Sequence, residues 1–126
     1  MVKEFHETFG IEVDAEPTED IVELRWSLIT EELDEVLEEL KPFDWATGGW
    51  NVSGINKEKL TKELADLLYV TYGTAVSLGL PIDEAFRLVH ESNMSKLEDG
   101  KVLRREDGKV LKGKNYKEPD LSVLFK

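Results

Sequence analysis

An all-α helical bundle ending in a small C-terminal β-hairpin is the fold this sequence predicts, and three observations predict it. Two long stretches, Ile21–Leu40 and Leu60–Leu80, repeat apolar residues at helical spacing. Proline and glycine punctuate them at Pro42 and at Gly79-Leu80-Pro81. Beyond Leu97 the helical pattern stops, and two short runs flank Asp107-Gly108, a pair favoured in two-residue hairpin turns. At 126 residues the chain is expected to form one domain over 1–126, with a helical core at about 18–97 and a basic hairpin and tail over 98–126.

Taken in order, the residues up to Asp20 hold Phe5, Phe9 and Pro17 without sustained periodicity and read as a short helical turn followed by loop. Thr18-Glu-Asp-Ile-Val-Glu then looks like a helix start, with Thr18 or Asp20 available as N-cap and acids in the first turn. At about 100° per residue, Ile21, Leu24, Leu28, Ile29, Leu33, Val36 and Leu40 share one arc, and Pro42 should stop the helix. Glu32 and Glu35 fall inside that arc; Asp34 and Glu38 lie opposite it, and Glu31 sits at its border, one turn from Glu35.

Residues 41–56 are rich in Gly, Asn and aromatics and read as loop. Trp45 and Trp50 either plug a core or subunit contact or wall a pocket for a base. Asn56 or Lys57 opens a second helix that lasts to Gly79 and is apolar nearly all round, which suits a bundle centre or a subunit interface. Glu63 and Asp66 are aimed inward from it. Pro81-Ile82-Asp83-Glu84 starts a third helix with Asp83 as cap and Ala85, Phe86 and Val89 as packing face. His90, on the same side, reads as a packed or interface histidine, and nothing constrains His6.

The net charge of −11 is unevenly spread: residues 1–95 carry −14 and residues 96–126 carry +3. An acidic body disfavours general binding to nucleic acid polymers, which need a broad positive surface. A small anion held between a metal and the basic tail fits better. The absence of cysteine excludes disulfides, thiolate metal sites and a cysteine nucleophile. No apolar run approaches the roughly 20 residues that span a bilayer, and the start lacks a leader's apolar stretch, so no membrane partner and a cytoplasmic location are expected.

Carboxylates three apart on a helix lie about 60° apart in projection and can grip one ion. Acids pointing into an apolar face need a compensating cation, and four convergent oxygen ligands suit Mg²⁺, with Mn²⁺ as a substitute. Phosphoanhydride hydrolysis then follows, with Glu31 or Glu35 orienting or deprotonating the attacking water. The chain has neither a phosphate-binding G-x-x-x-x-G-K-[ST] loop nor a G-x-G-x-x-G fingerprint, and no serine sits on a nucleophile elbow.

Glu31-Glu32-Leu33-Asp34-Glu35 followed by Glu63-Leu64-Ala65-Asp66 resembles the E-E-x-x-E and E-x-x-D signature of the all-α nucleoside triphosphate pyrophosphohydrolases. That superfamily includes MazG-like enzymes, all-α dUTPases and phosphoribosyl-ATP pyrophosphohydrolase. The resemblance covers about residues 18–97, and Ser92–Leu97 and Arg105–Gly113 are similar to a phosphoribosyl-ATP-pyrophosphohydrolase-like subgroup. It implies cleavage between the α and β phosphates of a nucleotide, with Glu32, Glu35, Glu63 and Asp66 holding Mg²⁺ and Glu31 assisting. It further implies Asn93 and Lys96 near the nucleotide, and a homodimer or homotetramer of helical bundles. Charge alone extends the substrate site to Lys109, Lys112 and Tyr116. The leading expectation is a house-cleaning (deoxy)nucleoside triphosphate pyrophosphohydrolase. Phosphoribosyl-ATP hydrolysis in histidine synthesis and a non-catalytic acidic helical module are its rivals.

Overall fold

Thr18 opens the first long helix, as its place ahead of an acidic turn suggests: its Oγ1 accepts the Ile21 backbone N–H at 3.2 Å. The computed structural model describes residues 1–40, 43, 44, 46, 48–50 and 52–126. A short α1 (Val2–Phe9) precedes α2 (Glu19–Leu40), which ends at Leu40; Pro42 and Trp45 lie outside the described residues. The next helix, α3 (Lys57–Leu78), starts where the Asn56 side chain accepts the Lys59 N–H at 3.0 Å. It stops at Gly79, whose φ of 65° is left-handed and suits a residue without Cβ. Between α2 and α3, in the segment read as loop, β1 (Phe43–Asp44) pairs antiparallel with β2 (Gly49–Trp50). Gly48, at φ 72°, helps the chain turn back between them.

The chain divides into two compact units, residues 1–80 and 81–126. The division falls ahead of the last α-helix, whereas the sequence changes character only after Leu97. In the first unit α1 and α2 both pack on α3. A Cβ on Gly73 would lie 2.5 Å from Arg25 Nη1, and ligand atoms of Glu32 and Glu35 approach those of Glu63 and Asp66. Moving seven residues along α2 therefore means moving seven back along α3, so the two helices are antiparallel. Ile21, Arg25 and Val36 are the buried residues of α2 on this packing.

Phe5 meets Tyr69 edge-on at 5.6 Å and fixes α1 against α3. The segment after α1 then crosses the end of α3. Asp14 and Ala15 donate their backbone N–H groups to the carbonyls of Val76 and Ser77 at 2.9 and 2.8 Å, satisfying acceptors the helix end leaves open.

The second unit holds α4 (Ile82–Met94) and the tail. Pro81, rather than the expected Asp83, occupies the N-cap, and no side chain caps the helix. Asp83 instead stands in the first turn, where its charge meets the helix dipole. Ser92 and Ser95 tie the tail down: Ser92 Oγ donates to the Lys117 carbonyl at 2.7 Å, and Ser95 Oγ accepts the Lys117 N–H at 2.9 Å. The expected hairpin is reduced to its turn. Arg104 bridges Val110, the Leu111 N–H donates to Leu103 at 2.7 Å, and no strand is assigned to either arm. Runs this short, whose Val102, Leu103, Val110 and Leu111 stay exposed, give a turn its bridge partners and little more.

Candidate metal centre

Glu32 and Glu35 lie three residues apart on α2, and Glu63 and Asp66 three apart on α3, so each pair presents two carboxyls from adjacent turns of one face. The antiparallel packing brings the pairs together. One oxygen from each of the four lies within 4.8 Å of all the others, a spacing at which they could hold a metal ion. Glu32, Glu63 and Asp66 are half-buried and Glu35 forms the exposed edge.

The charge balance of this cluster is incomplete. Glu32 Oε2 and Glu63 Oε2 are buried without a hydrogen-bond partner, one from each helix. Unpartnered buried carboxylate oxygens are costly, and a divalent cation taking oxygen ligands would satisfy both. The donor set is all carboxylate, which suits Mg²⁺, Ca²⁺ or Mn²⁺ rather than zinc or copper. The Glu63 carboxyl holds a proton more readily than an ordinary glutamate: its pKa is raised, first by a hydrogen bond to Glu35 and then by burial, with the Lys62 charge opposing the shift.

Lys62 is the functional candidate that sequence reasoning missed. Its Nζ lies 2.7 Å from Asp66 Oδ2 and 3.7 Å from Glu63 Oε1. A lysine one turn before an acid on a helix reads as an ordinary surface pair, so the available signal was the spacing alone. The buried polar neighbours of the same unit also escaped the sequence. Arg25 is 6% exposed, and burial lowers its pKa while the Glu12 charge counters the shift. His6, which nothing in the sequence constrained, is 2% exposed and donates Nδ1–H to the Glu12 carbonyl at 3.0 Å. His90, expected to be a packed or interface histidine, is exposed in the single chain.

The other expected site residues distribute as follows. Glu31 is exposed on α2 and is not one of the four clustered acids. Trp50 is exposed on β2, and Trp45 falls outside the described residues. In the second unit, Asn93 is exposed near the end of α4 and Lys96 is half-buried just beyond it. The Lys96 carbonyl accepts the Gly113 N–H at 3.2 Å, and Lys112 Nζ lies 4.7 Å over the Tyr116 ring. Lys109 is exposed on the arm after the turn.

Two acidic pairs on facing helices are what the resemblance requires, and a family comparison matches the phosphoribosyl-ATP pyrophosphohydrolase family over residues 2–93. The chain belongs to that family. The match spans α1 to α4, and with it the chain is a pyrophosphohydrolase, a hydrolase acting on acid anhydrides, within the all-α nucleoside triphosphate pyrophosphohydrolase superfamily. The non-catalytic module considered from sequence gives way to this enzymatic identity. No curated protein compared with the chain matches it. Among the described residues no helix is long and apolar enough to cross a membrane.

Proposed function

We propose that the chain is a Mg²⁺-dependent pyrophosphohydrolase that cleaves the α–β phosphoanhydride of a (deoxy)nucleoside triphosphate, releasing a nucleoside monophosphate and pyrophosphate in a cytoplasmic house-cleaning role. The single observation that carries the metal reading is the pair of buried carboxylate oxygens without partners, one contributed by each helix of the acid cluster. Glu32, Glu35, Glu63 and Asp66 are the ligands on this reading, and Mn²⁺ is the expected substitute. When bound, the ion supplies positive charge against the phosphates and acidifies water beside them.

The chain's own residues do the rest. Glu35, on the exposed edge of the cluster and hydrogen-bonded to Glu63, takes the proton from the attacking water, with Glu31 one turn away as its helper. Asn93 and Lys96 hold the nucleotide. Lys109, Lys112 and Tyr116 meet the leaving pyrophosphate, and Trp50 contacts the base. A second copy of the chain is the expected partner, since Trp26 is 68% and Leu68 59% exposed on the two long helices. Sedimentation showing only monomer at all concentrations would end that last assignment.

A second reading, hydrolysis of phosphoribosyl-ATP, is favoured by the family match itself. Both substrates lose pyrophosphate, so the reaction type does not separate them. A panel of canonical, deoxy and modified nucleotides with phosphoribosyl-ATP, scored by product identification, does. Turnover of nucleoside triphosphates to monophosphate and pyrophosphate is expected; turnover of phosphoribosyl-ATP alone would reverse the ranking, and release of single phosphates would remove both readings.

A further inference from the structure

We propose that Lys62 is a tethered counter-ion for the α3 half of the acid cluster: its ammonium holds the metal-free Glu63 and Asp66 carboxylates together, is displaced when a divalent cation enters, and is thereby freed to face phosphate. The inference rests on the metal reading above and adds a residue with a competing role. Here the ammonium lies 2.7 Å from Asp66 and 3.7 Å from Glu63, so one cation is shared between two of the clustered acids.

The lysine does not finish the task. An ammonium is a single charge with three donors, and it leaves Glu32 Oε2 and Glu63 Oε2 without partners. A divalent ion carries twice the charge and takes six or more oxygens, so it gathers what Lys62 cannot reach. Displacement is easy because the Lys62 side chain is 67% exposed on a flexible stem. Arg25, the buried cation of the same two-helix packing, has no such freedom. Once displaced, the Lys62 ammonium still stands one turn from Asp66, beside any phosphate held there.

Mn²⁺ titration followed by the electron paramagnetic resonance of the free ion, without nucleotide, tests this on the wild type, Lys62→Met and Lys62→Arg. An exposed ion pair of this kind corresponds to an affinity change of about two- to fivefold. Lys62→Met is therefore expected to bind Mn²⁺ that much more tightly, to melt lower than wild type without metal, and to lose that deficit when metal saturates. Lys62→Arg, retaining a cation, should stay near wild type. A purely structural role would weaken binding instead. Equal or weaker Mn²⁺ binding by Lys62→Met, with the wild type binding normally, overturns the Lys62 proposal and leaves the metal reading standing. A wild type that binds no Mn²⁺ overturns both. With Mn²⁺ saturating, inorganic pyrophosphate should bind Lys62→Met more weakly than wild type, and equal binding overturns the phosphate-facing role.

Discussion

A partly buried carboxyl hydrogen-bonded to another carboxyl takes up a proton more readily than a surface glutamate, and Glu63 is in that position even with the Lys62 ammonium nearby. Asp66 differs, because Lys62 grips it directly. Replacing Asp66 by Asn keeps the size and hydrogen-bonding capacity but removes one of four charges that a divalent ion needs. Since losing even the partners of metal ligands typically costs about 10–100-fold in affinity or activity, Asp66→Asn is expected to lower kcat/KM by at least about a hundredfold. Isothermal titration should show the matching loss of Mg²⁺ affinity, and an Asp66→Asn variant with wild-type affinity and turnover would remove Asp66 from the ligand set. At this scale the acids were legible because carboxylates inside an apolar arc contradict the arc. Lys62, Arg25 and His6 were not, because a cation's importance depends on what the facing helix places over it, and no local pattern states that.

At the scale of elements, the helix ends were the most legible part of the chain. Thr18, Asn56 and Gly79 each sit where a cap requires an oxygen acceptor or a left-handed residue, and each acts there. The segment after α4 was read less well. A hairpin was visible in Asp107-Gly108, but not that the tail is secured by Ser92 and Ser95, whose bonds run to Lys117 across more than twenty residues. Gly113 is the tightest point of that docking: a Cβ there would lie 2.8 Å from the Glu98 Cβ and 2.9 Å from the Lys96 carbonyl. Neither neighbour is the free end of a flexible side chain. Gly113→Ala should therefore cost about 1–3 kcal/mol of local docking, the usual range for overpacking. At about 1.4 kcal/mol per tenfold, trypsin should cut the tail roughly 10–100 times faster than in wild type, while the fold of residues 1–80 holds. Unchanged cleavage would show that the tail is secured elsewhere.

For the whole molecule, the acids titrate in two windows with opposite signs. Glu63 has a folded pKa raised above its ordinary 4.5, so the folded state holds that proton more tightly than the unfolded chain. Its stabilising share is fully present below the unfolded value and is lost as pH rises through the raised one. Asp107 and Asp120 run the other way. Arg105 and then the Lys109 N–H lower Asp107, and Ser122 lowers Asp120, both below the ordinary 3.8, so their share is present above that value and lost as pH falls through the lowered ones. Metal-free protein should accordingly gain thermal stability as pH is brought down from neutral toward about 4.5, then lose it in stronger acid. Saturating Mg²⁺ should raise the midpoint at neutral pH and flatten the upper window, because a cation among the four carboxylates favours the charged form that a proton would otherwise relieve. Scanning calorimetry at stepped pH, with and without Mg²⁺, reads both effects. A metal-free midpoint that falls steadily from neutral pH downward, and that Mg²⁺ leaves unmoved, would mean that the four acids are not crowded together in solution.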